Sequence, residues 1–283
     1  MQGARKHQEM PVSVVHASSA SLSGSTVHPS PVVHLPAPDA AAGAVADLVR
    51  LMGMAPREGA DAMQATRLPL RRLHEGSTLV FEGGRARALY VLRCGSTKTV
   101  KTQEDGYEQV LGFQHAGDVL GYEALYGGVH DAGVVALEDS TAYVLAVDDL
   151  PQLRRLCPGF TDALERALTR QLHDAGAVAG LMSAVASEAR LARFVLWWSD
   201  RMAGIGRSPR RLHLRMGRRD IASFLGVAHA TVSRSFTALA EAGCLQVDNR
   251  DLEILDVETL RALARSTRGA SGEATGPQHA AAP

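Results

Sequence analysis

Between about residues 66 and 148 the apolar positions fall in short β-prone runs and follow no helical period. The runs are Thr78–Phe81, Leu89–Leu92, Thr97–Lys101, Gln109–Phe113, Val134–Leu137 and Thr141–Val147, with glycines between them. Short strands with turn signals roughly every 8–12 residues predict a small β-sandwich or β-roll. From Pro151 to about Ala203 the period becomes helical, with Leu164, Leu168 and Leu172 followed by Val178, Leu181, Met182 and Val185. That spacing marks one face of a long helix. Gly176 and Gly180 lie in the same stretch, and two glycines four apart leave a smooth strip where another helix can approach closely. The strip packs either on the chain's own β-domain or on a second copy, and the dimer seam is the expected use. Its residues would be Leu164, Leu168, Leu172, Gly176, Gly180 and Leu181. Ser187 before Glu188 reads as the N-cap of a further helix over 188–203.

Residues 204–256 carry a different pattern. Between Gly204 and Arg234 there are seven arginines and one acid, Asp220, in a chain whose 30 basic and 30 acidic residues otherwise cancel. A local arginine cluster in a neutral chain is an electrostatic footprint for phosphate. Arg218–Leu225 predicts a short helix, Gly226–Val227 a tight turn, and Ala228–Ala242 a second helix ended by Gly243. This is the order of a helix–turn–helix. On the second helix Val232, Phe236 and Leu239 form the buried side, leaving His229, Ala230, Ser233, Arg234 and Thr237 outward. Leu245–Val247, a polar turn and Leu252–Leu255 predict a hairpin wing.

Five segments follow: a mostly disordered tail over 1–54, a β-roll over 55–160, a dimerisation helix over 161–186, a winged helix–turn–helix over 187–260 and a disordered tail over 261–283. The first tail is rich in Ser, Ala and Pro and carries His7, His16, His28 and His34 at irregular spacing. No apolar run reaches the roughly 20 residues needed to cross a bilayer, and no secretory h-region is expected near the start. Three cysteines without CxxC spacing exclude a disulfide scaffold or zinc knuckle and suit the cytoplasm. No GxSxG, P-loop, HExxH or paired-carboxylate motif occurs, so no enzymatic activity is expected.

Gly217–Val227, with Thr231-Val232-Ser233-Arg234 in the next helix, closely resembles the Crp/Fnr transcription factors, on the Fnr side. So do Gln109–Phe113, Gly117–Gly121 and Arg190–Phe194, and the likeness covers about 55–256. The resemblance implies an α+β chain: an N-terminal cyclic-nucleotide-binding-like β-roll, a long dimerisation helix and a C-terminal winged helix–turn–helix. It implies a homodimer on operator DNA, with RNA polymerase as a partner and no membrane role. The DNA-binding residues would be Arg218, Arg219, His229, Ala230, Thr231, Ser233, Arg234 and Thr237. Arg234 would grip a guanine and Ser233 a neighbouring base or phosphate, while Ala230 stands where the family carries Glu.

The sensor departs from the family's familiar ligands. Thr102–Leu153 contains no Lys or Arg, and Asp131 lies where a cyclic nucleotide's phosphate needs a cation, so no cyclic nucleotide is expected. Residues 1–93 contain no cysteine, Tyr143 stands at the family's β-roll cysteine, and three cysteines cannot complete a four-cysteine cluster. No resident cofactor is expected. Haem or a small apolar ligand, with His115 and His130 as candidate axial ligands, stays open, as do ligand-independent control and a role in regulating a protein partner.

Overall fold

A computed structural model of the chain describes residues 39–56, 59–184 and 186–265. Its first half is a roll of two antiparallel sheets. One has the order β1-β2-β9-β4-β7, from β1 (Asp39–Ala44), β2 (Arg67–Leu73), β4 (Ala88–Cys94), β7 (Val119–Leu120) and β9 (Ser140–Ala146). The other has the order β3-β8-β5-β6, from β3 (Thr78–Val80), β5 (Ser96–Thr102), β6 (Glu108–His115) and β8 (Gly133–Ala136). Each of the six predicted runs contributes a strand. β2 is an addition: Leu68, Leu70 and Leu73 are buried, but its arginines and Pro69 hide the alternation in the sequence.

The expected disorder does not hold for the end of the 1–54 segment. Residues 39–44 form β1 against β2, and α1 (Val45–Leu51) buries Val45, Ala46, Leu48 and Val49 under the roll. The short Ala/Gly strand lacks bulky alternation, yet smallness is what the site needs. A Cβ on Gly43 would lie 2.5 Å from the ring of Tyr143, which is itself buried. The tail's four histidines lie outside the described residues, as does the segment after Arg265.

After α2 (Ala60–Ala65) and the roll come α3 (Leu150–Leu156) and α4 (Pro158–Met182). Pro158 opens α4, where a missing N–H costs nothing. Phe160, Ala163, Leu164 and Ala167 pin its first half to the roll. Beyond Leu168 the helix runs largely exposed until Leu181 enters the next core. α5 (Ser187–Gly204) follows, its N-cap being Ala186, with no side-chain cap, instead of the expected Ser187. Ser187 Oγ instead accepts a hydrogen bond from Ser235 Oγ at 3.2 Å.

The last unit contains β10 (Arg211–His213), α6 (Arg218–Leu225), α7 (His229–Glu241), β11 (Leu245–Asp248), β12 (Asp251–Ile254) and α8 (Val257–Arg265). The expected disorder over 261–283 does not hold for 261–265, which complete α8 because Leu260 and Ala264, one turn apart, are both buried. β10, β12 and β11 form its three-stranded wing sheet. Its core is aromatic: Trp197 stacks on Phe224 with centroids 5.7 Å apart, and Phe113 from β6 reaches Phe224 at 5.1 Å. The β-roll and the helix–turn–helix therefore share one core. α6 also covers the edge of β6, where Ser223 Oγ accepts from Val110 N–H at 2.9 Å and donates to Glu108 O at 3.1 Å. Two ion pairs tie the same seam, Lys98 Nζ to Asp220 at 2.7 Å and Arg215 to Glu138 at 3.0 Å.

Candidate nucleic-acid interface and sensor cavity

The polar face of α7 is built by what lies behind it. Val232, Phe236 and Leu239 are buried, with Ser235 on the same side, and this fixes the helix rotation. His229, Ala230, Ser233, Arg234 and Thr237 are exposed, and Thr231 is half-buried. The expected reading residues thus share one solvent face. Ser233 Oγ donates to His229 O at 3.3 Å and Thr237 Oγ1 to Ser233 O at 3.3 Å, so both hydroxyls retain lone pairs to accept from a partner. Arg234 touches Thr231 Oγ1 at 3.5 Å from an exposed position. Gly226 ends α6 with φ +63°, giving the left-handed step that reverses the chain into α7.

The two arginines at the start of α6 differ. Arg219 is exposed. Arg218 is half-buried, its guanidinium 3.6 Å over the Phe236 ring and donating to Asn249 O at 3.0 Å. It joins α6, α7 and the wing tip, where Asn249 takes φ +51°. Burial lowers its pKa from the usual arginine value. Asp220, the single acid of the arginine segment, caps α6 by accepting from Gly217 N–H at 3.0 Å, and Lys98 offsets its charge. Arg207, Arg210, Arg219 and Arg234 are all open to solvent, and of these Arg234 lies on α7 and Arg219 at the start of α6.

The seam residues divide. Leu172, Gly176 and Gly180 are exposed, and a Cβ at either glycine would meet nothing within 4 Å. Leu168 is half-buried against the roll core. Leu164 and Leu181 are 2% and 5% exposed inside the chain's own two cores and do not belong to an intermolecular face. A long helix anchored at both ends cannot keep one uniform stripe, because its anchors claim the apolar residues there.

A cavity of roughly 510 Å³ opens between the roll, α4 and α5. Its walls include Phe113, Leu120, Val134, Leu168 and Trp197. The sequence stretch without cations did not foresee that Lys101 and Arg201 reach this space from outside it. Arg201 is already committed: its guanidinium pairs with Asp118 at 2.5 Å and with Asp174, and lies 5.1 Å over Trp197. No sequence signal marks Arg201, since its partners are 83 and 27 residues away.

His115 and His130 line no part of the cavity. His115 is buried and donates from Nδ1 to Ala116 O at 2.9 Å, and burial is the main cause lowering its pKa. His130 is buried with Nδ1 3.4 Å from Glu123. Neither is presented to a haem in the cavity. The cysteines are dispersed as well: Cys94 is exposed, Cys157 lies in the roll-side core and Cys244 in the core shared with the helix–turn–helix. Among the described residues no group of three or more His, Cys, Asp or Glu is placed to hold a metal.

Comparisons with known proteins match both halves. A Crp-like helix-turn-helix domain model matches residues 189–263, and a cyclic nucleotide-binding domain model matches residues 70–156. The fumarate and nitrate reduction regulatory protein of Salmonella typhimurium is 33% identical over 196 residues, covering 69% of this chain and 78% of the relative. The transcriptional regulatory protein btr of Bordetella pertussis is 30% identical over 192 residues, covering 68% of this chain and 79% of the relative. Among solved structures, FixK2 from Bradyrhizobium japonicum aligns over 70% of this chain and 98% of its own at 24% identity and a TM-score of 0.55. A CooA mutant from Carboxydothermus hydrogenoformans aligns over 70% and 88% at 21% identity and a TM-score of 0.57. These two structures establish the shared fold.

Proposed function

Because the chain belongs to the Crp/Fnr family of transcription regulators, we propose that it works in the cytoplasm as a homodimer on an inverted-repeat operator, its β-roll reading neither a cyclic nucleotide nor an iron–sulfur cluster. The observation that carries the DNA reading is the outward face of α7, where Arg234, Ser233 and His229 stand exposed while Val232, Phe236 and Leu239 hold the helix from behind. A helix presented this way suits the major groove, with base-edge contacts near its N-terminus. The dimer reading rests on α4, whose Leu172 is 75% exposed beside the open strip of Gly176 and Gly180. Two copies related by a two-fold axis would set their recognition helices about one DNA turn apart.

Against a cyclic nucleotide stands the charge of the cavity. Asp131 and Glu123 line it, and its Arg201 is spent on two carboxylates. Against a cluster stands the dispersal of the cysteines between solvent and two separate cores. The exposed segment Gln103–Glu108, the turn after β5 together with the first residue of β6, is the candidate contact for RNA polymerase.

Binding-site selection from random duplex DNA, paired with sedimentation of the purified protein, tests the reading. An enriched inverted repeat bound by two chains is expected. A monomer, or a selection that enriches no sequence, would overturn it.

A further inference from the structure

We propose that the cavity between the roll, α4 and α5 binds a small organic cation, an amine on an apolar body. The inference rests on the reading of the β-roll as a sensor and names its ligand class. Four carboxylates line the cavity, those of Asp118, Glu123, Asp131 and Asp174, against two cations, Lys101 and Arg201. Arg201 serves both Asp118 and Asp174, so one guanidinium answers two negative charges. The Asp118 side chain is 1% exposed; its Oδ2 also accepts from His115 N–H at 3.0 Å, while its Oδ1 is buried without a hydrogen-bond partner, as are the donors Arg201 Nε and Trp197 Nε1 on the same walls. A buried carboxylate oxygen left unmet is costly, and a donor or positive charge nearby relieves it.

The aromatic lining supports the same chemistry. Tyr122 and Tyr126 stand at the mouth, 46% and 76% exposed, and Trp197 forms part of the inner wall. Trp197 is already taken by Phe224 and the Arg201 guanidinium, so the faces of Tyr122 and Tyr126, beside Glu123 and Asp131, are the ones a ligand cation would meet. The field is legible in the two tyrosines. The Tyr126 hydroxyl donates to Asp131 at 3.2 Å, and that bond and charge raise its pKa. Burial raises that of Tyr122, with the charge of Glu123 adding to it. The aliphatic walls from Leu120, Val134 and Val178 suit a hydrocarbon body.

Three probes with one phenyl ring and one chain length separate the classes: 2-phenylethylamine, 2-phenylethanol and 3-phenylpropionate. Each is titrated into the full-length protein by calorimetry and by tryptophan fluorescence, which reports on the adjacent Trp197 and Trp198. The amine is expected to bind at least about tenfold more tightly than the alcohol, a difference of about 1.4 kcal/mol, with the anion weakest. Asp131→Asn, at an exposed position, and Asp174→Asn are each expected to weaken the amine several-fold and leave the alcohol unchanged. Equal or tighter binding of the alcohol or the anion overturns the proposal, as does an amine that fails to saturate the protein up to its solubility limit. Operator binding is measured on the same preparation. Protein that binds its operator and ignores the amine refutes the ligand class alone, whereas protein that binds the amine and no DNA refutes the reading of α7.

Discussion

Arg234 and Ala230 lie one helical turn apart on the exposed face of α7, and their chemistries divide the work of reading a half-site. A guanidinium can take O6 and N7 of one guanine together, so Arg234→Ala should cost about 1–3 kcal/mol per contact and relax the preference at that base pair. A methyl group offers no acceptor for a cytosine amino group and can only pack on a thymine methyl. Ala230→Glu should therefore sharpen selection at its base pair, measured on operators carrying all four pairs there. Wild-type protein that already discriminates as strongly would show that this side chain is not the reader. The arginines of α6 are expected to diverge, although the sequence treats them alike. Arg219→Ala should lower affinity for every DNA sequence and reduce the salt dependence by about one phosphate contact. Arg218→Ala should lower thermal stability by about 1–2 kcal/mol through loss of its place over Phe236 and at the wing tip. Adjacent identical residues differ here because Phe236 and Asn249 surround only one of them.

At the scale of elements, α4 poses the sharpest test. Gly176 and Gly180 interrupt a 25-residue helix, at a cost of about 1 kcal/mol each relative to alanine. No atom of the chain lies within 4 Å of a Cβ at either position. Gly176→Leu should thus leave the folded chain intact, or even firm up the helix, while weakening self-association and operator binding together. Analytical ultracentrifugation alongside thermal melting separates the two effects, and a dimer of unchanged strength would remove α4 as the seam. The helix–turn–helix was legible from sequence because its apolar period, glycine turn and arginines agree over a short window. The strand β1 was not, since Asp-Ala-Ala-Ala-Gly-Ala has no alternation and its smallness makes sense only beneath Tyr143. Leu164 and Leu181 share the helical period of α4 with Leu172, yet the roll and α5 claim them.

Across the whole molecule, the seam between the roll and the DNA-binding unit is held by few polar groups. Ser223→Ala would leave the buried Val110 N–H without its partner, a loss of about 1–3 kcal/mol. Faster hydrogen exchange at Val110, with α7 protected as before, is expected; unchanged exchange would mean that the aromatic core alone sets the seam. His115 ties the same region to pH. Burial is the main cause lowering its pKa from 6.5, against the opposing pull of Asp118, with Arg201 and Arg170 also near. Above that value the ring is neutral in both states and contributes nothing. Below it the unfolded chain takes up a proton that the folded chain resists, so stability falls as the solution is acidified. His115→Gln should flatten this decline in urea titrations run from neutral pH downward.

Local order, by itself, determined the succession of strands, long helix and helix–turn–helix, and the face of α7 that meets solvent. Each follows from periodicity and turn residues within a window of one or two elements. Only the tertiary structure decided which part of α4 stays open, which arginine of α6 is free to meet a phosphate, and what charge fills the cavity. Those properties belong to residues far apart in the chain. Asp118, Asp174 and Arg201 form one ion-paired group, with Lys101 and Asp131 lining the same cavity, only after the roll, α4 and α5 have folded against one another. A burial pattern repeats along a sequence, but a pairing of charges across 83 residues leaves no local trace.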